Sequence, residues 1–312
     1  MMLLENTFSA LLQRTSFHRL GQLTGISAML RLIQGGKSHR QDLQSVKQAE
    51  EPVAKSARPG HVMLIGTGPG AMDLLTVRAY RLICEAKVVI YDRLVGDDIL
   101  DLIPADAERY YVGKKPGQHS ATQDEINALM IDLATRHPQV LRLKGGDPAI
   151  FARLAEERDA LNGAGISWSI VPGITAASGC AASVGIPLTD RASAHSVRYI
   201  TATHYRQDIA HDWAELARED QTLVFYMGVE NASQISRELV AHGLPADWPA
   251  LIVERGTQPG QRSLRLSLGD LPQQIAKHQV KSPALLIIGK VVEAAQTDVL
   301  ALELADSFEV AA

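Results

Sequence analysis

Three short glycine-containing turns hold most of the chemical means of this sequence: Gly66-Thr-Gly-Pro-Gly70, Lys144-Gly-Gly-Asp-Pro148 and Pro172-Gly-Ile-Thr175. Each follows an apolar run that reads as a strand and precedes a helical pattern. Glycine lets backbone come close to a ligand, and the N–H groups of a helix start face that ligand. The chemistry this permits is the binding of a nucleotide-like cofactor. Asp92 stands where another apolar run, Lys87–Tyr91, gives out. A carboxylate there can take a proton, stabilise developing positive charge, or simply tie the strand end to its neighbour Arg93. Arg142 lies inside the apolar run Val140–Leu143, and a charge in such a place needs a partner. Arginine is suited to two-point recognition of carboxylates.

Positioning these residues requires an alternation of strands and helices. Strands are expected at Val62–Ile65, Lys87–Tyr91, Arg109–Val112, Val140–Leu143 and Trp168–Val171. Helices are expected at Leu74–Ala86, after the capping box Thr122-x-x-Glu125, after Pro148, and in the Ala-rich stretch after Thr175. Such alternation implies an α/β fold with a mostly parallel sheet, in which ligands collect beyond the strand C-termini. All three glycine turns leave at that edge. Gly185-Ile-Pro-Leu-Thr189 breaks the pattern, and a second α/β set follows, with strands expected at Val197–Thr201, Thr222–Tyr226, Ala250–Val253, Ser263–Ser267 and Ala284–Ile288. Helices there are expected over roughly 210–218 and 231–242. The expected organisation is an N-terminal extension and linker (1–58), an N-terminal α/β domain (59–190), a C-terminal α/β domain (191–296) and a tail (297–312).

The bulk numbers set bounds. With 312 residues, 46% apolar and 21% charged, the chain suits a soluble protein of two domains. A net charge of −4 argues against a general nucleic-acid binder. Only Cys84 and Cys180 occur, far apart, so neither a disulfide framework nor a zinc site is indicated. No apolar run approaches the roughly 20 residues of a membrane span. The expected compartment is the cytoplasm. Glu5 and the lack of a long apolar core oppose a secretory signal, while Arg14, Arg19 and Arg31 leave a transit peptide open.

Two cofactor readings start from the first turn. Gly66-x-Gly68-x-x-Ala71 satisfies a loose dinucleotide fingerprint, and Asp92 then falls where a ribose-binding acid would sit. That reading makes a nicotinamide-dependent dehydrogenase. No P-loop is present, because no Gly-Lys-Ser/Thr follows.

From about residue 60 to 293 the chain resembles the tetrapyrrole methylase family. The resemblance rests on eight blocks in order: Gly66–Gly70, Tyr91-Asp-Arg-Leu-Val95, Gly113-Lys-Lys-Pro-Gly-Gln-His119, Val140-Leu-Arg-Leu-Lys-Gly-Gly-Asp-Pro148, Val171–Thr175, Gly185–Thr189, Phe225-Tyr-Met-Gly228 and Glu254-Arg-Gly-Thr257. Two segments depart from the family pattern. Gly70-Ala-Met72 replaces Gly-Asp-Pro, and Ala152-Arg-Leu-Ala-Glu-Glu157 replaces a glycine-rich run.

The resemblance implies two α/β domains with the cofactor cleft between them, in a homodimer. The implied cofactor is S-adenosylmethionine, contacted at Pro69, Gly145, Gly146, Asp147, Ile150, Thr175, Ala176, Met227 and Gly256. Asp147 is expected to face the cationic part of that ligand. The implied reaction is methylation of uroporphyrinogen III at two pyrrole carbons, C2 and C7, giving precorrin-2. The pyrrole carbon is itself the nucleophile, so no metal is called for. The resemblance puts the proton acceptor at Asp92 and the donor at Lys114. The substrate carries a ring of carboxylates, for which Arg142, Arg93 and His119 are the expected cations. Alternatives are another methylase of the family, the dehydrogenase, and a homologue that binds the cofactor without turnover.

Overall fold

The computed structural model describes residues 59–113, 121–202 and 211–294, and these form two five-stranded sheets. The first contains β1 (His61–Gly66), β2 (Val88–Tyr91), β3 (Glu108–Tyr111), β4 (Gln139–Lys144) and β5 (Ser167–Val171), in the order β3-β2-β4-β1-β5. Every pairing in it is parallel. The runs Val-Met-Leu-Ile and Val-Val-Ile are buried because helices cover both faces, as an all-parallel sheet requires.

Those helices are α1 (Val77–Cys84), α2 (Asp97–Leu100), α3 (Gln123–Arg136) and α4 (Leu154–Gly163). α1 starts later than its apolar pattern suggests. Thr76 caps it by accepting from Ala79 N, and Met72–Leu74 forms a separate 3-10 turn. α3 opens on the expected capping box: Thr122 Oγ1 accepts from Glu125 N, and Glu125 Oε2 accepts from Thr122 N. α4 starts at Leu154 although no glycine precedes it. Arg153 takes a left-handed conformation, φ 56°, at its N-cap.

The second sheet contains β6 (Ser196–Thr201), β7 (Gln221–Tyr226), β8 (Pro249–Glu254), β9 (Arg262–Ser267) and β10 (Ala284–Ile288), in the order β6-β7-β10-β8-β9. Unlike the first, it is mixed. Only β6–β7 is parallel, because β10 inserts antiparallel between β7 and β8, and β8–β9 is a hairpin. Hence β6, β7 and β8 run the same way and end at one edge.

α5 (Ala176–Ser183), α6 (Trp213–Leu216), α7 (Ala232–Ala241) and α8 (Leu271–His278) accompany this sheet. α5 follows β5 in the chain, yet its Ala177, Cys180 and Ala181 are buried with Val224, Leu251, Val253 and Ile287 of the second sheet. Small residues around its whole circumference let it lie close to that sheet while its first turn stays at the edge of the other. No helix among the described residues is long and apolar enough to cross a membrane.

Candidate functional site at the facing strand ends

Gly66, Asp92, Lys144 and Pro172 follow or end the adjacent strands β1, β2, β4 and β5, so their loops share one edge of the first sheet. The first two turns are joined backbone to backbone. Gly68 N donates to Gly146 O (3.1 Å) and Gly146 N donates to Gly68 O (2.7 Å). Gly66 leaves no room for a side chain: a Cβ there would sit 2.5 Å from Gly173 N and 2.7 Å from Gly146 O. The third turn is pinned to the second by Asp147, whose Oδ2 accepts from Gly173 N (3.0 Å) and whose Oδ1 accepts from Ala149 N (2.8 Å). The Asp147 carboxylate, expected to face a cationic ligand, is thus committed to shaping the turns. Ile150 N closes the same turn on Asp147 O.

The second domain meets this edge with the ends of β7 and β8. Tyr226 OH and Thr175 Oγ1 share a hydrogen bond of 2.6 Å, and Ala177 N donates to Tyr226 OH (3.1 Å). Burial pushes the Tyr226 phenol above its ordinary pKa, so it stays protonated in this role. After β8, Thr257 Oγ1 accepts from Ala71 N (3.2 Å), and Gln258 Nε2 donates to Pro69 O (3.4 Å). Pro69 packs on α5, since a Cβ on Gly179 would lie 2.4 Å from Pro69 Cγ. Gly256 is held against α5 as well: a Cβ there would lie 2.3 Å from Cys180 Sγ. That thiol is buried and its pKa is pushed up to about 12, so it acts as a small apolar residue.

The expected cofactor residues therefore come together from both domains: Pro69, Gly145, Gly146, Asp147, Ile150, Thr175 and Ala176 from the first three turns, Met227 and Gly256 from the other side. A group of adenosylmethionine type fits this edge. Gly146 has φ 70°, which favours glycine, and a Cβ built on it would meet nothing closer than Ala176 N at 3.8 Å, so its backbone is open on one side. Large apolar side chains stand exposed around the same edge. They are Met227 (48% exposed), Phe151, which lies edge-on to Tyr226 at 5.0 Å, and Leu94, which covers Gly145. Among the described residues, six non-glycine residues have positive φ, and five of them (Phe151, Arg153, Met227, Arg255 and Thr257) lie in these strand-end loops. Such backbone strain gathers where surrounding structure holds a site in place.

Beside the turns lies a buried set of charges. Arg142, expected to meet a substrate carboxylate, is 4% exposed and points inward. Its Nε donates to Glu157 Oε1 (3.2 Å), its Nη1 to Leu143 O (2.8 Å) and its Nη2 to Asp92 Oδ2 (3.3 Å). Lys144 Nζ donates to Glu157 Oε2 (2.6 Å), and Glu157 is fully buried. Burial holds the Lys144 pKa below the ordinary lysine value, against the pull of Glu157. Asp92 Oδ1 accepts from Leu94 N (3.0 Å), and its side chain keeps 26% exposure at the cleft. Its charged partner is therefore Arg142; Arg93 is exposed at the surface. Lys114 and His119 lie outside the described residues.

Sequence reasoning missed Glu157, Tyr226, Thr257 and Gln258 as parts of this arrangement. Glu157 carried a signal: it shares one stripe of α4 with Leu154 and Leu161, so it had to be buried and paired. A separate groove of about 510 Å³ on the second domain, lined by Leu264, Arg265, Gln274 and His278 among others, shares no residue with the strand-end turns. Among the described residues no group of three or more His, Cys, Asp or Glu side chains is placed to hold a metal ion.

Residues 61–272 match the model of the tetrapyrrole (corrin/porphyrin) methylases. A siroheme synthase of Pseudomonas fluorescens is 49% identical over 260 residues, 83% of this chain and 55% of that protein. One from Pseudomonas aeruginosa is 51% identical over 236 residues, 75% of this chain and 50% of that protein. The chain thus spans about half the length of these curated relatives. Among solved structures, the native uroporphyrin III C-methyl transferase of Thermus thermophilus superposes with a TM-score of 0.64 and 38% identity, over 75% of this chain and 94% of that one. Its complex with S-adenyl homocysteine gives 0.64 and 40%, over 75% and 93%.

Proposed function

This chain belongs to the tetrapyrrole (corrin/porphyrin) methylase family, and from that premise we propose that it methylates uroporphyrinogen III at C2 and C7, giving precorrin-2. One observation carries the reading most: likeness to the Thermus enzyme runs over nearly that whole chain, and the family match at residues 61–272 includes both sets of strand ends. S-adenosylmethionine supplies an electrophilic methyl group when bound. Pro69, Gly145, Gly146, Asp147, Ile150, Thr175, Ala176, Met227 and Gly256 would hold it. Asp147 does so indirectly, by fixing the second and third turns. Leu94, Phe151 and Met227 offer apolar surface to the tetrapyrrole. Arg93 and His119 are proposed for its carboxylates. Arg142 is turned inward and acts on Asp92 instead.

The reacting pyrrole carbon supplies its own electron pair, so the protein's part is alignment and proton handling. In this reading an Asp92 carboxylate oxygen takes the proton that the methylated ring system loses, and Lys114 is the proton donor. The reaction requires no metal. We place the protein in the cytoplasm as a homodimer, its product feeding synthesis of a modified tetrapyrrole such as sirohaem. No observation favours the dehydrogenase reading of Gly66–Ala71, whose backbone is engaged with Gly146 and Thr257.

Mass spectrometry after incubation with uroporphyrinogen III and S-adenosylmethionine is expected to show two added methyl groups; none would overturn the assignment. At the cofactor turns, Thr175→Arg is expected to weaken S-adenosylhomocysteine binding at least about tenfold, because it removes the bond to Tyr226 and fills the strand-end space. Calorimetry on the folded variant checks this, and unchanged affinity would move the site elsewhere. A chain starting near Ser56 is expected to stay dimeric and active, since the recognised pattern begins after it. Loss of the dimer or of turnover would give residues 1–55 a part in assembly or catalysis.

A further inference from the structure

We propose that Glu157 is a positioning residue that reaches Asp92 through Arg142, an inference that rests on the reading of Asp92 as proton acceptor.

Arg142 and Lys144 alternate along β4 and so present their side chains to one face, the face that α4 covers. Glu157 projects from α4 between Leu154 and Leu161 and meets both cations, one on each oxygen. Together with Asp92 the cluster holds two positive and two negative groups. Stability alone is a poor reason for such a cluster, because apolar replacements of a buried ion pair are often neutral or better. Fixing one guanidinium in one pose is a reason the geometry does support. Each nitrogen of Arg142 has its own acceptor: Glu157 for Nε, Leu143 O for Nη1 and Asp92 for Nη2.

The consequence falls on Asp92. Its carboxylate is held at two points, Leu94 N on Oδ1 and Arg142 Nη2 on Oδ2, while one side stays open to the cleft. In Glu157→Gln a single amide oxygen faces two donors, and Lys144 Nζ, the closer at 2.6 Å against 3.2 Å, takes it, so Arg142 Nε loses its acceptor. The guanidinium is then free to swing into the two-point clasp that arginine prefers with a carboxylate. Such a clasp would turn the Asp92 plane and engage both oxygens. Glu157 thus holds Arg142 back to a single contact and keeps Asp92 aimed and accessible.

The test is a kinetic cycle on the full chain, with uroporphyrinogen III and S-adenosylmethionine as substrates. Glu157→Gln is expected to lower kcat by about 10- to 10²-fold, the scale of a misplacement near 1 Å. The KM for uroporphyrinogen III and the affinity for S-adenosylhomocysteine should stay within about twofold, because neither site contacts Glu157. In an Asp92→Asn background the same substitution should cost less than about twofold more, since its target is already gone. Losses that multiply, or a Glu157→Gln enzyme with normal kcat, would overturn the proposal. Should Glu157→Gln fold poorly, the pair Glu157→Met with Lys144→Met removes the acceptor, keeps the cluster neutral and takes its place in the cycle, with Lys144→Met alone as its reference. Near-wild-type turnover by Asp92→Asn itself would bring down the underlying reading, a result separable from failure of Glu157 alone.

Discussion

Asp92→Asn is expected to lower turnover by about 10²–10⁴-fold while both ligands still bind nearly normally. The substitution keeps the shape of the side chain and removes its charge. Its carbonyl can go on accepting from Leu94 N, as Asp92 Oδ1 does at 3.0 Å. Its amide would then face Arg142 Nη2, donor against donor, where Asp92 Oδ2 now accepts at 3.3 Å. A loss of stability of about 1–3 kcal/mol is therefore expected beside the catalytic loss, from one charged hydrogen bond left unmade. Turnover must accordingly be expressed per folded molecule. Among the described residues the Asp92 carboxylate bonds to Leu94 N and Arg142 Nη2 and not to the three glycine turns, so S-adenosylhomocysteine affinity should hold. If the stable variant turns over like wild type, Asp92 leaves the mechanism and serves only to pair Arg142. If it loses affinity for a nicotinamide cofactor instead, the Gly66–Ala71 fingerprint regains its meaning.

The first sheet was readable because β1, β2 and β4 are built on short apolar runs bounded by turn residues, and because Thr122 and Glu125 mark a helix start by side-chain chemistry alone. The second sheet was readable as strands and not as a sheet. Nothing local in Ala284–Ile288 states that it inserts between β7 and β8, since strand order is set by packing over long separations. α8 went unseen because Pro272 stands near its start and only Leu271 and Ile275 supply an apolar stripe. α5 was seen as a helix, but its small residues give it no face, so its packing on the second sheet was invisible.

At the site the glycine turns were legible for a backbone reason: close approach and positive φ restrict residue type. Side-chain partners were less so. The charge of Arg142 inside an apolar strand announced a partner, and that partner proved to be internal. Glu157 supplies it from a helix whose acidic first turn reads as solvent-facing until its register with Leu154 and Leu161 is followed. Tyr226 is an aromatic residue at a strand end, a type that packs in cores as often as it binds. Its bonds to Thr175 and Ala177 N across the two domains mark it out.

Lys144→Met is expected to destabilise the protein by about 3–5 kcal/mol, the cost of breaking one partner out of a buried ion pair. Met matches the length and apolar stem of Lys, so packing changes little; the charge balance changes. Lys144 is 3% exposed, and its Nζ is the shorter of the two contacts to Glu157, 2.6 Å against 3.2 Å from Arg142 Nε. Removing it leaves the fully buried Glu157 with Arg142 as its remaining charged partner, and Arg142 is shared with Asp92. The cluster then holds two carboxylates and one guanidinium. At roughly 2–4 °C per kcal/mol for a folded unit of this size, the midpoint of thermal unfolding should fall by about 10 °C. Adding Glu157→Gln to the same chain removes the orphaned charge and should recover a large part of that loss, even though a second hydrogen-bonding group has been replaced. Circular dichroism melts of the wild type, the single variant and the pair decide it. A Lys144→Met protein that melts with the wild type, or a pair less stable than the single variant, would mean that the buried charges are not balanced against one another. Glu157 would then have no electrostatic hold on Arg142, and Arg142 no fixed pose from which to present Nη2 to Asp92.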